Sequence, residues 1–167
     1  MSLPDDVDFQ FLRRIHGWSE AKLYVDGYLR EEFILTHIFD DPLEAICTAT
    51  VCLANGADEV FFSWFCEPGQ YDWKFSKVKS EHHLLDVLIY DYLDIIKLNH
   101  CQSSTHQLHN KISFRVARDF WIALVTSEAE KIARLLTYRH YKINRDPHTF
   151  PWQELKELKQ YRDRKSN

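Results

Sequence analysis

Apolar and polar positions alternate along much of the first two thirds of the chain, a period of two that marks half-buried strands. Glu20–Val25 alternates, and Asp26-Gly27 then supplies the positive-φ dipeptide of a two-residue hairpin turn. Such a loop sets Val25 opposite Tyr28 and Lys22 opposite Glu31, with the second strand running to about Ile38. Asp41-Pro42-Leu43-Glu44 reads as a helix start: Asp41 as N-cap, Pro42 at the first helical position, Glu44 placed for a capping box. Leu43, Ile46, Cys47, Thr50, Leu53 and Ala54 recur at helical spacing, and Asn55-Gly56 provides the exit.

A second hairpin is expected from Val60–Cys66 and Tyr71–Phe75 around Glu67-Pro68-Gly69-Gln70. Proline followed by glycine is type II turn chemistry. That turn predicts Trp64 facing Trp73 and Phe62 facing Phe75, aromatic cross-strand pairs worth roughly 0.2–1 kcal/mol each. Val60, Phe62, Trp64, Tyr71, Trp73 and Phe75 then share one face, while Phe61 and Phe65 emerge on the other. Leu84–Tyr92 and Gln107–Val116 alternate as further strands, and residues 93–106 fit neither period. Trp121, Leu124, Val125, Ile132, Leu135 and Leu136 form a helical stripe, and Leu155 and Leu158 mark a last helix opened by Thr149-Phe150-Pro151-Trp152, with Lys156, Lys159 and Arg162 in water. The order predicts one α+β domain over residues 1–167. Its antiparallel sheet has five to six hairpin-built strands, one crossing helix after the second strand, and two C-terminal helices on one face.

Composition narrows the function classes. The chain has 167 residues, of which 45% are apolar and 28% charged, near globular averages, so neither disorder nor a coiled-coil rod fits. Its 4 glycines are Gly17, Gly27, Gly56 and Gly69. They are too dispersed for a dinucleotide fingerprint, a phosphate loop or a nucleophile elbow, each of which needs clustered glycines for sharp turns or close approach to phosphate. The 4 cysteines form no C-x-x-C pair, Asp5, Asp6 and Asp8 stand where a secretory signal needs an apolar run, and no apolar stretch is long enough to span a membrane. A cytoplasmic protein without membrane contact is the expectation. Charge is uneven: residues 1–100 carry 18 acidic and 8 basic side chains, residues 101–167 carry 7 and 13. Acidic and basic faces are then expected to complement one another within the fold or between subunits.

Four groups of residues carry candidate chemistry. His100, Cys101, His106 and His109 are zinc-type donors at irregular spacing, a weak metal candidate. Glu67, Asp72, Asp86, Asp91 and Asp94, with His82 and His83, could serve acid–base or cation chemistry if the fold gathers them; His37 joins that list, although a core histidine is the simpler reading. Lys131, Arg134, Arg139, His140, Lys142 and Arg145, interleaved with Tyr138 and Tyr141, have the basic-plus-aromatic make-up of a single-strand nucleic-acid surface. The net charge of −4 argues against such a partner. The fourth group is the aromatic surplus, with Phe61, Phe65, Trp64 and Trp73 as interface candidates.

The hairpin Trp64-x2-Glu67-Pro68-Gly69-x-Tyr71-x-Trp73 resembles a motif of small uncharacterised bacterial proteins, some of them compared with toxin-immunity proteins. The likeness covers this hairpin and the Phe150-Pro151 segment, and it implies no catalytic residue and no cofactor. The expected function is non-enzymatic binding of an unknown protein partner, with self-association, as a dimer, through aromatic sheet surface. The alternative is a metal-assisted hydrolase built on the Asp/His groups of Glu67–Asp94 or His100–His109.

Overall fold

The computed structural model describes residues 5–95 and 105–165; side chains at 93–95 and 105–107 fall outside that description. The architecture is α+β, in two antiparallel sheets rather than the single sheet expected. The first holds β1 (Val7–Arg13), β2 (Trp18–Val25) and β3 (Tyr28–Thr36), in that order. After α1 (Pro42–Ala54), the second holds β4 (Glu59–Cys66), β5 (Gly69–Val78), β6 (Glu81–Ile95) and β7 (Thr105–Ala117). Then follow α2 (Arg118–Leu135), the short α3 (Arg139–Lys142) and α4 (Trp152–Lys165). The sheets separate because β3 and β4 are joined through the 13-residue α1 and do not pair with each other.

β1 was not expected at all. Its acidic start masks a clean alternation in which Val7, Phe9, Phe11 and Arg13 are buried and the residues between them exposed. Its backbone is also engaged from outside the sheet: the Phe11 N–H donates to the Glu128 carboxylate of α2 at 2.6 Å, which satisfies a group an edge strand would otherwise leave open.

The two hairpins depart from the expected register in different ways. In β2–β3, Val25 faces Tyr28 as anticipated, but a bulge between Leu23 and Tyr24 moves Lys22 opposite Glu32 instead of Glu31. In β4–β5 the loop is Glu67-Pro68, joined by a cis peptide bond, with Cys66 paired to Gly69. Trp64 therefore faces Tyr71, and Phe62 faces Trp73. The shift is an even number of residues, so every side chain keeps its expected face. Trp64 and Trp73 still meet diagonally, edge to face, with ring centroids 5.1 Å apart.

Those faces build the core. Trp64 and Trp73 are each 1% exposed, within a lattice that adds Phe9, Phe33, Phe75 and Trp121. The Trp64 indole N–H donates to the Pro42 carbonyl at 2.8 Å, fixing the first turn of α1 against β4. Trp121 of α2 contacts Phe9 of the first sheet and Trp73, Phe75 and Phe114 of the second, so one ring joins both sheets to the helical layer. α1 is capped as expected, Asp41 accepting from the N–H groups of Leu43 and Glu44. α2 runs unbroken from Arg118 to Leu135. α4 buries Leu155, Leu158 and Tyr161, while the partly exposed Arg162 pairs with Glu130 at 2.7 Å.

Asp41 also pairs with the buried guanidinium of Arg13 at 2.8 Å. Two functions can be separated by substitution. Asp41→Asn keeps a capping oxygen but removes the charge, and is expected to cost about 3 kcal/mol in urea unfolding because Arg13 stays buried and unpaired. Loss of no more than the roughly 1 kcal/mol typical of a cap would show that the ion pair adds nothing.

Candidate functional site

Strand register writes out the outer face of the second sheet row by row. One row runs Phe61, Lys74, Leu88, Ser113; the next Ser63, Asp72, Tyr90, Lys111; the third Phe65, Gln70, Tyr92, Leu108. The opposite face carries Trp64, Trp73, Phe75, Val87 and Phe114, all buried against the first sheet and the helices. Among the described residues no helix covers the outer rows. Phe61 is 63% exposed, with the Lys74 ammonium 5.0 Å from its ring centre. Tyr90 stacks on Tyr92 at 6.2 Å, and Lys111 lies over Tyr90 at 5.5 Å. Phe65 packs on Phe39 from the β3–α1 connection at 4.9 Å, and Phe39 and its neighbour Ile38 are both largely exposed. Of the four interface candidates, Phe61 and Phe65 reach this surface; Trp64 and Trp73 are sealed inside. Tyr90, Tyr92, Leu88 and Leu108 were missed because each reads, in its own strand, as one more member of an alternating pattern. Leu108 was assigned to the core face with Ile112 and Phe114, but a bulge between Asp91 and Tyr92 inserts His109 into β7 and turns Leu108 outward, 48% exposed.

The acidic candidates do not converge. Asp72 accepts hydrogen bonds from Ser63 at 2.6 Å and Gln70 at 2.9 Å, and Asp86 accepts from Arg115 at 2.8 Å. Glu67 lies in the turn before β5, and His82 and His83 lie just past its far end; a 10-residue strand separates them, about 30 Å. No three His, Cys, Asp or Glu side chains among the described residues stand where they would hold a metal ion. His100 and Cys101 lie outside the described residues, as do the side chains of His106 and Asp94; His109 is exposed. The free cysteine Cys47 sits buried in α1, its thiol pushed well above the usual range by that burial.

Asp91 is the exception among the carboxylates, on the inner face of β6 and only 7% exposed. Burial raises its pKa, against a smaller opposing pull from His109. The same end of the core holds Glu31, raised by burial and then by Asp91, and Tyr71, whose hydroxyl is raised by the same causes.

A second feature is a basic cleft. Arg13, Arg14, Gly17, His37, Lys142, Asn144, Arg145, Asp146, Pro147 and Thr149 line a cavity of about 420 Å³. Arg13 spends Nη2 on Asp41 and on the Thr149 hydroxyl. Arg14 holds Glu20 through two contacts of 2.8 and 2.7 Å. His37 shares a 2.7 Å hydrogen bond with Ser19, and its Nδ1 lies 3.6 Å from Asp41. Burial lowers the His37 pKa and outweighs the opposing pull of Asp41. Arg145 stacks on Tyr141 at 4.3 Å and donates to the carbonyls of Arg13 and Tyr141. The basic-aromatic group named from the sequence is thereby divided: Arg145 turns into the cleft, and Lys131 pairs with Glu128 on α2. No family model matches the chain, and no curated protein and no solved structure matches it either.

The pH dependence follows from Asp91. Its folded pKa lies above the roughly 3.9 of an unfolded aspartate. The native state therefore binds this proton more tightly, and the associated stability is full below the unfolded value and lost as pH rises through the folded one. Asp91→Asn is expected to be more stable than the parent at pH 7 and to flatten the urea midpoint across that window; an unchanged profile would exclude Asp91 as its source.

Proposed function

We propose that the protein is a non-enzymatic binding protein that self-associates through the outer face of the four-stranded sheet. The supporting observation is the pair of rows carrying Phe61 and Phe65 with Leu88, Tyr92 and Leu108, continued onto Phe39 and Ile38; in a single chain Phe61, Leu108, Phe39 and Ile38 are exposed, and Phe65, Leu88 and Tyr92 half-buried. Aromatic rings with a polar rim are what association surfaces are enriched in. Here the polar groups are Ser63, Asp72 and Lys111 in the row between the two, and Lys74 and Gln70 within the rows themselves.

The occupant that fits is a second copy of the same face. Flat sheet faces pack about 10 Å apart with interdigitated side chains, and a two-fold axis through the Tyr90 row would set one copy's Phe61 row against the other's Phe65 row. Four strands and three rows give a footprint of about 400 Å² per copy. A standard stable interface needs roughly 800 Å² per partner, so the expected dimer is weak and concentration-dependent. The hydrolase alternative has no comparable support, since its described carboxylates and imidazoles are spread over both ends of β5. Part of the charge asymmetry is meanwhile answered within one chain, as Arg115 of β7 meets Asp86 and Glu81 of β6.

Sedimentation equilibrium from about 10 to 500 µM is expected to show a monomer–dimer equilibrium, and Phe65→Glu, which places a carboxylate among the rings, to abolish it while leaving the circular dichroism unchanged. A wild-type chain that stays monomeric throughout that range would overturn the proposal.

A further inference from the structure

The basic cleft is separate from the sheet surface and holds positive charge that its own anions do not fully answer. Four cations line it (Arg13, Arg14, Lys142, Arg145), against one lining carboxylate, Asp146. Asp41 and Glu20 neutralise Arg13 and Arg14. Asp146 is turned to the backbone, its Oδ1 accepting from the His148 N–H at 2.9 Å. Among the described residues Lys142 and Arg145 have no carboxylate partner; the contacts of Arg145 are two neutral carbonyls and the Tyr141 ring.

The interior wall adds a second observation. The Arg13 side chain is 3% exposed, yet its Nη1 has no hydrogen-bond partner among the described residues. A buried unpartnered donor, on a charged group above all, is costly and rare. Negative charge held in the cleft would offset part of that cost across a low-dielectric wall. The cleft is also assembled from distant parts of the chain. The turn after β1 meets the segment after α3 through the His16 N–H and the Asn144 carbonyl, at 3.3 Å, with His16, Gly17 and Asn144 all at positive φ. Arg145 then reaches the Arg13 carbonyl at 2.7 Å, 132 residues away in sequence.

We propose that this cleft binds a small phosphate monoester, with Lys142 and Arg145 holding the phosphoryl oxygens beside the buried Arg13 guanidinium that lines the same cavity. The volume, about 420 Å³, lies in the range of small-molecule sites and admits a phosphorylated metabolite rather than a polymer. An ammonium and a guanidinium together offer donors for the three oxygens of a phosphate dianion, whereas one guanidinium fork alone satisfies a planar carboxylate.

The test is calorimetric titration of the full chain with inorganic phosphate, glycerol phosphate and acetate in constant chloride. Saturable binding of both phosphates, at least tenfold tighter than acetate, is the expected result. Lys142→Ala removes an exposed side chain with no described bond, so the fold is retained, and phosphate affinity should fall about tenfold. Arg145→Lys keeps the charge but loses the stacked fork, and should weaken binding as well. Absence of saturable binding, equal affinity for acetate, or undiminished affinity in Lys142→Ala would each overturn the proposal. A chain that binds phosphate but stays monomeric would sink the sheet-face reading and leave this one standing.

Discussion

The contact between Arg13 and Asp41 is the constraint around which the rest is arranged. It is an ion pair removed from water, and such a pair is tolerated only when its geometry and its remaining hydrogen bonds are good. Asp41 meets that condition by accepting from the guanidinium of β1 and from the first turn of α1, with the His37 imidazole 3.6 Å away. Arg13 meets most of it with Asp41 and Thr149, and leaves one nitrogen unanswered among the described residues. Through this pair the end of the first sheet, the start of the helix between the sheets and the segment before α4 are held at one point.

From that point the two candidate surfaces diverge. On one side lies the cleft, where cations from the first turn of the chain and from the segment after α3 are forced together because Arg145 is anchored on the Arg13 carbonyl. On the other, α1 leads into β4, and the Trp64 indole bonded to the Pro42 carbonyl sets which face of that strand points inward. With Trp64 inside, alternation leaves Phe61 and Phe65 outside. The exposed rings are therefore a by-product of the same core that buries the tryptophans. They were legible in the sequence for that reason: faces depend on parity alone, and the parity survived a hairpin loop centred one residue earlier than expected, which shifts the pairing by two.

What the sequence misjudged has equally specific causes. β1 went unread because Asp5, Asp6 and Asp8 were weighed only against a secretory signal, although Phe9 and Phe11 beside them are wholly buried. Leu108 and the pairing of Lys22 failed at bulges, where one inserted residue resets the pattern beyond it. The turn around Pro68 failed because proline suits either central position of a tight turn, depending on the turn type. In each case the local pattern was present and its partner strand decided the outcome.

By itself, the chain determined the α+β class, the capped helix at Asp41, the ring-rich inner face of the second hairpin and the exclusion of glycine-loop nucleotide chemistry. All of these depend on residues within a few positions of one another. The division into two sheets, the burial of Arg13, the convergence of Arg145 on it and the stacking of Tyr90 on Tyr92 on the same face as Phe61 and Phe65 came only with the tertiary structure. Those features join residues tens to more than a hundred positions apart, and hydrophobic periodicity carries no information about which distant surfaces will meet.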